Sequence, residues 1–406
     1  MSVVVDCTMG TAMKNIVILA TGGTIAGAGE QGKDIGYKSG SIEAQTLIDA
    51  IPELKNVANI FVEQVCNINS DDITSEIWIS LALRIKELSE KGFGDSHENV
   101  DGFVIMHGTD TMEETAFFLS LTLGAGANCK EQMASQNAAK PVVLTGSMRP
   151  ATAAEPDGPA NLLFAVQSAV ELSSLSNSGT RAASCHSRPV ILEAKRRGAI
   201  ISRIAFGGNP IFLDCPVYVA FAGKLMDART VQKIHANDLD AFAEISNSSV
   251  ILSPFDKLRV NSVEGSLEQS ASEPESGLSS WPTFDISSLR SLPKVSVLYF
   301  NADADASLIS FAAERSAGLV IAGAGAGEFS QSWAAVIAEI VVQKKIPVVI
   351  SSRINRGCIV PEQLLVPGTI AAYGLPPAKA AVLLRLALTV TNDVVEIQNF
   401  LHLSNP

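Results

Sequence analysis

The chain has 406 residues, of which 47% are hydrophobic and 18% are charged. This composition is typical of a globular protein with room for two or three domains. The formal net charge of −12 argues against nucleic acids and anionic membranes as partners, because both bind basic surfaces. No run approaches the roughly 18 apolar residues of a membrane-spanning helix, and the first apolar run is too short for a secretory signal. We therefore expect a cytoplasmic protein with no nucleic-acid or membrane partner.

Short strand-like runs alternate with helical ones along the chain, which indicates βαβ units and a mostly parallel sheet. The predicted strands are residues 15–20, 60–65, 102–106, 141–145, 294–300, 318–322 and 346–350, with further strand-like sequence over 190–225 around a turn at 207–210. The predicted helices are residues 41–54, 73–91, 116–121, 159–175 and 378–388.

Two stretches are poor in regular patterns. Residues 176–187 are Ser-rich and predict a surface loop, and residues 261–282 are the best linker candidate. The sequence therefore predicts a two-domain α/β protein, with a larger N-terminal domain and a smaller C-terminal one. We place the N-terminal domain at 1–260, the linker at 261–290 and the C-terminal domain at 291–406.

Motifs for metals and cofactors are weak. The six cysteines form no CxxC pair and have no histidine at ligand spacing, so we expect no metal site and no disulfide framework. Residues 27–32 (GAGEQG) match GxGxxG, but the preceding strand ends too early and no helix follows, as a dinucleotide site requires. Residues 323–327 (GAGAG) are explained equally well by a tight turn. We expect no cofactor.

The stretch 107–115 (HGTDTMEET) joins a buried strand to a helix. Thr111 and Glu114 have the spacing of a capping box, in which Thr111 caps the helix and Glu114 reaches back to it. This leaves Thr109 and Asp110 in the loop, at the end of a strand where open α/β sheets place their chemistry.

A second hydroxyl lies in a similar setting. Thr24, like Thr109, follows a hydrophobic strand in a glycine-flanked loop, and a threonine nucleophile needs a base, for which a tyrosine such as Tyr37 can serve. Taken singly, threonines that cap helices or fill turns explain these positions as well. His107 is expected to be a packed, hydrogen-bonded residue, and no Gly-x-Ser-x-Gly elbow supports a serine triad.

Together, two segments of this chain resemble the bacterial-type L-asparaginase family: residues 21–27 (TGGTIAG) and residues 107–115. Shorter supporting matches are residues 146–150, 157–159, 351–353 and 383–389. The resemblance leaves out the N-terminal leader and residues 124–139, 176–215 and 261–279, which look like insertions. It implies a homotetramer of two-domain α/β subunits that hydrolyses the side-chain amide of asparagine, and in some members of glutamine, without metal or cofactor.

The resemblance also implies roles for particular residues. Thr24 is implied as the nucleophile that forms an acyl-enzyme, and Tyr37 as the group that activates it. Thr109, Asp110 and Lys233 are implied as a second triad, in which the lysine supports Thr109 as it handles the attacking water or the substrate amide.

Further residues are implied in substrate binding. Ser70 and Asp110 would hold the α-carboxylate and α-ammonium of the substrate. Asp71 stands where many members have Gln or Glu, and its shorter reach leaves the preference between asparagine and glutamine open. Asp303 corresponds to a partner-subunit asparagine of some members, and Glu362 is the candidate for the glutamate that the family places near the tyrosine.

We therefore expect an enzyme that converts asparagine to aspartate and ammonia, acting as a homotetramer or homodimer on a small-molecule substrate. Three alternatives remain. The chain could be an ammonia-supplying subunit of a tRNA-linked amidotransferase, although those relatives carry an additional N-terminal domain. It could be an amino-acid-binding homologue without turnover, as the change at Asp71 suggests. A dehydrogenase would rest on residues 27–32 alone.

Overall fold

The structure is a computed structural model, and it describes residues 13–33, 36–123, 140–177, 191–196, 199–204, 216–245 and 281–404. The chain forms two compact units, Met1–Ala243 and Glu244–Pro406. Most of the predicted linker, most of the predicted loop 176–187 and the predicted turn 207–210 lie outside the described residues. The predicted domain limits therefore stay a prediction.

The first unit is built on a six-stranded sheet. Its strands are β1 Asn15–Gly22, β2 Asn59–Ile68, β3 Gly102–Met106, β4 Val142–Thr145, β5 Ile191–Arg196, β6 Ala199–Ile204, β7 Val217–Phe221, β8 Lys224–Asp227, β9 Val231–Lys233 and β10 Phe242–Glu244. Its helices are α1 Ala44–Asp49, α2 Ser75–Lys91, α3 Met112–Thr122 and α4 Gly158–Asn177.

The main sheet has the strand order β2-β1-β3-β4-β7-β8, and all its pairs are parallel except β7 with β8. The chain leaves β1 for β2 on one side and then crosses to β3 on the other. Such a reversal opens a crevice at the carboxyl ends of the strands, where open α/β sheets bind ligands. Strands β5 and β6 form an antiparallel pair, and β9 pairs with β10 in a separate ribbon.

Local sequence explains most of these elements. β1 and β3 are continuous apolar runs whose residues are almost all buried, as expected for central strands covered on both faces. The predicted helix 41–54 instead divides into α1 and a 3₁₀ turn, Pro52–Asn56. Pro52 lacks the amide hydrogen that a continuous helix requires there.

The second unit carries a four-stranded parallel sheet in the order β11-β12-β13-β14. Its strands are β11 Val295–Tyr299, β12 Gly318–Gly323, β13 Val348–Ser352 and β14 Ile370–Ala371. Its helices are α5 Ser307–Ala313, α6 Gln331–Glu339, which continues into a π-turn at Ile340–Lys344, α7 Pro377–Ala387 and α8 Val394–Leu403. The predicted α/β class with a larger and a smaller sheet is confirmed.

Neither glycine-rich stretch leads directly into a helix. After residues 27–32 the next helix is α1, which begins only at Ala44, so this GxGxxG does not open a helix. A Cβ added at Gly323 would lie 2.3 Å from the carbonyl carbon of Gly327, so the stretch 323–327 is a turn too tight for side chains. None of the helices in the described part of the chain combines the length and the apolar character needed to cross a bilayer.

Candidate active site

Three neighbouring strands bring the predicted polar residues to one edge of the main sheet. Ser70 follows β2, Thr24 follows β1 and Thr109 follows β3, and these strands lie side by side in the order β2-β1-β3. All three side chains are buried or nearly so, with exposed fractions of 2% for Ser70, 8% for Thr24 and 5% for Thr109. The topology therefore creates a secluded cluster of hydroxyl groups.

The loops after β1 and β3 touch backbone to backbone. Gly23 has a φ of 81°, which favours glycine, and a Cβ there would lie 2.5 Å from the Cα and the nitrogen of Gly108. A Cβ at Gly108 would in turn lie 2.6 Å from Oγ of Ser70. No side chain larger than glycine fits between the loops.

Thr24 is paired with Tyr37. Thr24 opens a buried 3₁₀ turn, Thr24–Ala26, and its Oγ1 lies 2.9 Å from the phenolic oxygen of Tyr37, with either hydroxyl able to donate. The ring of Tyr37 is half-buried. This hydroxyl pair has the geometry that proton transfer between a nucleophile and its base requires.

Two glycines leave the space that Tyr37 occupies. A Cβ at Gly27 would lie 2.7 Å from Cδ2 of Tyr37, and one at Gly29 would lie 2.9 Å from its Cα. Between them, Ala28 and Lys38 exchange two backbone hydrogen bonds of 3.0 and 2.9 Å. The glycines of this motif make room for a tyrosine.

We predict that Gly27→Ala lowers kcat for the expected hydrolysis of asparagine about tenfold. The added methyl group displaces the Tyr37 ring from Thr24, and small misplacements are costly in catalysis. Gly32→Ala is the matched control. Gly32 has a φ of 82° with open space around its Cβ position, so alanine there adds backbone strain of about 1 kcal/mol without obstructing the ring. Steady-state kinetics of both variants test this, and equal losses of kcat would contradict it.

Lys233 connects the second pair of predicted residues. Its Nζ donates to Oγ1 of Thr109 at 2.9 Å and to Oδ1 of Asp110 at 2.7 Å. The lysine side chain is only 15% exposed, whereas that of Asp110 is 62% exposed. Asp110 therefore presents its carboxylate to solvent or ligand while the lysine stays covered.

Ser70 ties the β2 loop to the β3 loop. Its Oγ accepts the amide hydrogen of Asp110 at 3.3 Å, and its carbonyl oxygen accepts the hydroxyl of Thr111 at 2.6 Å. Among the described residues, none accepts the hydroxyl proton of Ser70. The neighbouring Asp71 lies in the same 3₁₀ turn, Ser70–Asp72, and is exposed.

The predicted capping box is partly wrong. Thr111 does occupy the N-cap position of α3, but its side chain makes no capping hydrogen bond, because the hydroxyl donates to Ser70 instead. The motif thus serves to fasten two loops of the site together.

A buried chain of hydrogen bonds supports the same loop. Trp78 of α2 donates Nε1–H to Oγ1 of Thr115 at 2.8 Å, and Oγ1 of Thr115 lies 3.0 Å from Nε2 of His107. Nδ1 of His107 lies 2.7 Å from the carbonyl oxygen of Gly108. Indole is only a donor and a carbonyl only an acceptor, so the threonine hydroxyl donates to Nε2 and His107 carries its proton on Nδ1. The prediction of a packed, hydrogen-bonded His107 is confirmed.

Complete burial lowers the pKa of His107 to about 4. The unfolded chain takes up a proton near its ordinary pKa of about 6.5 while the folded chain does not, so stability falls as the pH drops below this value. In the wild type, this titration lowers the free energy of unfolding by about 2 kcal/mol between pH 7.5 and pH 5. We predict that His107→Gln removes this decrease. Urea unfolding at both pH values, with the exposed His97→Gln as control, tests this. An unchanged pH dependence in His107→Gln would contradict it.

No group of three or more potential metal-ligating residues lies together within the described ranges.

The structure brings Thr24 together with Tyr37, and Thr109 with Asp110, Lys233 and Ser70. One contact of this cluster could not be predicted from the sequence. The backbone N–H of Lys233 donates to Oε2 of Glu113, a pairing that no local pattern signals because 120 residues separate the two. Asp303 and Glu362 belong to the second unit.

Comparison with known proteins defines the class of this chain. Residues 15–179 match the model of the asparaginase N-terminal domain, and residues 294–401 match that of the glutaminase/asparaginase C-terminal domain. The chain therefore belongs to the asparaginase family.

Individual relatives agree with this assignment. The chain is 34% identical to L-asparaginase 2 of Escherichia coli over 95% of its own length and 92% of that protein. It is also 34% identical to the probable periplasmic L-asparaginase of Haemophilus influenzae, over 96% and 92%. Among solved structures, the probable cytoplasmic L-asparaginase from Campylobacter jejuni superposes with a TM-score of 0.67 at 33% identity, covering 96% of this chain and 99% of that one.

Proposed function

We propose that this protein is an asparaginase that hydrolyses the side-chain amide of L-asparagine to L-aspartate and ammonia through a threonine acyl-enzyme. The observation that carries the proposal is the hydroxyl pair of Thr24 and Tyr37, 2.9 Å apart, at the strand ends of a chain that belongs to this family.

In the first half-reaction, Oγ1 of Thr24 attacks the amide carbon of the substrate side chain. Tyr37 relays the proton: its phenolic oxygen takes the threonine proton as the new C–O bond forms, while its own hydroxyl proton moves to the amide nitrogen. The C–N bond then breaks, ammonia departs, and an ester joins the substrate to Thr24. Backbone N–H groups of the glycine loops hold the oxyanion, worth about 3 kcal/mol per donor.

In the second half-reaction, water hydrolyses the ester and restores the hydroxyl of Thr24. Lys233 holds Thr109 in place through their 2.9 Å hydrogen bond. The hydroxyl of Thr109 orients the water and relays its proton, which ends on Oγ1 of Thr24 as the ester bond breaks. The role of Thr109 and Lys233 is thus general acid–base catalysis, which typically contributes about 10²- to 10⁴-fold.

The substrate is held by its amino-acid end. The unused hydroxyl proton of Ser70 suits the α-carboxylate, and the exposed carboxylate of Asp110 suits the α-ammonium. Asp71 supplies a second acidic group beside them. Glutamine is the second candidate substrate, because the matching C-terminal domain is shared with glutaminases.

The direct test is ammonia release by the purified protein from L-asparagine, L-glutamine and their D-isomers, measured side by side. We expect L-asparagine to be hydrolysed, and the ratio to L-glutamine gives the specificity. Aspartate binding by calorimetry without ammonia release would favour the binding homologue. Ammonia release only in the presence of a co-purifying second subunit would favour the amidotransferase subunit.

We also propose that the protein acts as a homotetramer, with a homodimer as the smaller alternative. Large apolar side chains of the second unit are exposed in the single chain, among them Tyr299 at 60%, Leu308 at 51% and Phe311 at 59%. Burial between subunits would remove this apolar area from water. Light scattering during size-exclusion chromatography measures the mass of the assembly.

We further propose a cytoplasmic location, which the likeness to the Campylobacter enzyme supports. The Haemophilus relative is described as periplasmic, so the family alone does not decide the compartment. Fractionation of the source cells, followed by immunoblotting, distinguishes the two locations.

A further inference from the structure

Lys233 reaches the site from a short strand outside the main sheet. It is the last residue of β9, which has three residues and pairs with β10 in a two-stranded ribbon apart from the main sheet. The ladder of the main sheet therefore does not fix the position of its Cα. The side chain of Lys233 is long and flexible. Its backbone must be held in place if the ammonium group is to stay on Thr109 and Asp110.

Glu113 supplies such an anchor. It lies in the first turn of α3, where the partial positive charge of the helix end favours a carboxylate, and its Oε2 accepts the backbone N–H of Lys233. Strand amides point alternately to the two sides. The next amide, of Ile234 just after β9, donates to the carbonyl oxygen of Ala241 just before β10 at 2.8 Å. The amide of Lys233 therefore points the other way, toward α3.

The lysine is thus bound twice to one short segment. Its ammonium group bonds to Thr109 and Asp110, and its backbone bonds to Glu113. Both ends of the lysine are therefore held by the segment 109–113.

We propose that Glu113 is a positioning residue, which holds the backbone of Lys233 against α3 so that the lysine engages Thr109. This inference rests on the proposed function for its kinetic consequences, and on the contacts alone for its structural ones. In this role Glu113 acts through Lys233 rather than on the substrate.

The kinetic test uses Glu113→Ala and Glu113→Gln. Glu113→Ala lowers kcat about ten- to a hundredfold, because displaced catalytic groups lose efficiency steeply, and changes KM less than kcat. Glu113→Gln stays within about threefold of wild type, because its amide oxygen still accepts the hydrogen bond. Glu396→Gln is the matched control, since Glu396 is an exposed first-turn glutamate of α8 in the second unit.

A double variant separates positioning from general destabilisation. If Glu113 acts through Lys233, Glu113→Ala added to Lys233→Met lowers kcat no further than Lys233→Met alone. Two independent losses that multiply would overturn the proposal.

A measurement without substrate keeps the proposal testable if the protein does not hydrolyse asparagine. Lysine acylation by an N-hydroxysuccinimide ester, followed by mass spectrometry, reports how well each ammonium group is held. We expect Lys233 to react several-fold faster in folded Glu113→Ala than in wild type, with the rates of other lysines unchanged; if Glu113→Ala does not fold, the same comparison is made with Glu113→Leu. An unchanged rate at Lys233 would overturn the positioning role of Glu113 and leave the proposed function standing. A wild type without asparaginase activity, together with faster acylation of Lys233 in the variant, would overturn the proposed function and support the positioning role.

Discussion

Thr24→Ala is expected to reduce kcat for asparagine at least about a thousandfold, because loss of a nucleophile removes the covalent route altogether. KM should change little, since the substrate is held by other residues. Thr24→Ser keeps the hydroxyl group and should retain a measurable fraction of activity. Ammonia release under saturating asparagine measures both variants.

The control for this prediction is Thr21→Ala, which makes the same chemical change three residues earlier. The hydroxyl of Thr21 donates to the carbonyl oxygen of Met106 at 2.9 Å, so its removal should cost about 1 kcal/mol of stability and leave kcat within a few-fold of wild type. Near-full activity in Thr24→Ala would eliminate the threonine mechanism. Mass spectrometry of an acid-quenched reaction adds direct evidence, because the wild type should carry an acyl group on Thr24 and the alanine variant none.

The second large effect is expected for Lys233→Met, which should lower kcat by roughly 10²- to 10³-fold, the usual range for a lost acid–base group. Methionine keeps much of the length and apolar body of lysine but leaves Thr109 without its partner. KM should also rise, because Asp110 loses the ion pair that orients its carboxylate. Lys233→Arg restores the charge beside Asp110, but its planar guanidinium does not reproduce the contact of one compact ammonium group with both Thr109 and Asp110, so we expect it to recover KM and not kcat.

Lys14→Met provides a matched control. Lys14 pairs with Asp101 at 3.1 Å just before β1, at the opposite end of that strand from Thr24. Loss of this partly exposed pair should cost at most about 1 kcal/mol of stability and leave kcat unchanged. If Lys233→Met were as active as Lys14→Met, Lys233 would have no part in catalysis.

Much of the site could be predicted because its residues lie in short segments at strand ends. Thr24 and Thr109 were recognisable from a hydrophobic run, a glycine and a hydroxyl, all of which are local features. Lys233 was different, since it came only from the family resemblance, and no pattern in its own segment indicated that it would meet Thr109. Contacts between distant segments depend on topology, which a single sequence specifies weakly.

The errors have the same physical origin. The spacing of Thr111 and Glu114 correctly predicted where α3 begins, but a carbonyl group from another loop attracts the threonine hydroxyl more effectively than the helix end does. Similarly, Gly27 and Gly29 matched a nucleotide-binding pattern, whereas the structure places the ring and backbone of Tyr37 against them. In both cases, a tertiary neighbour decides the use of a local motif.

The contact between Gly23 and Gly108 has an evolutionary consequence. With nothing between the two backbones, the separation of the threonine loops follows from the spacing of adjacent strands, about 4.8 Å. Point substitutions therefore cannot widen or narrow the reaction centre gradually, because any side chain at either glycine collides with backbone or with Ser70. An amide substrate of a different length would therefore have to be accommodated at exposed positions such as Asp71, and not between the two glycines.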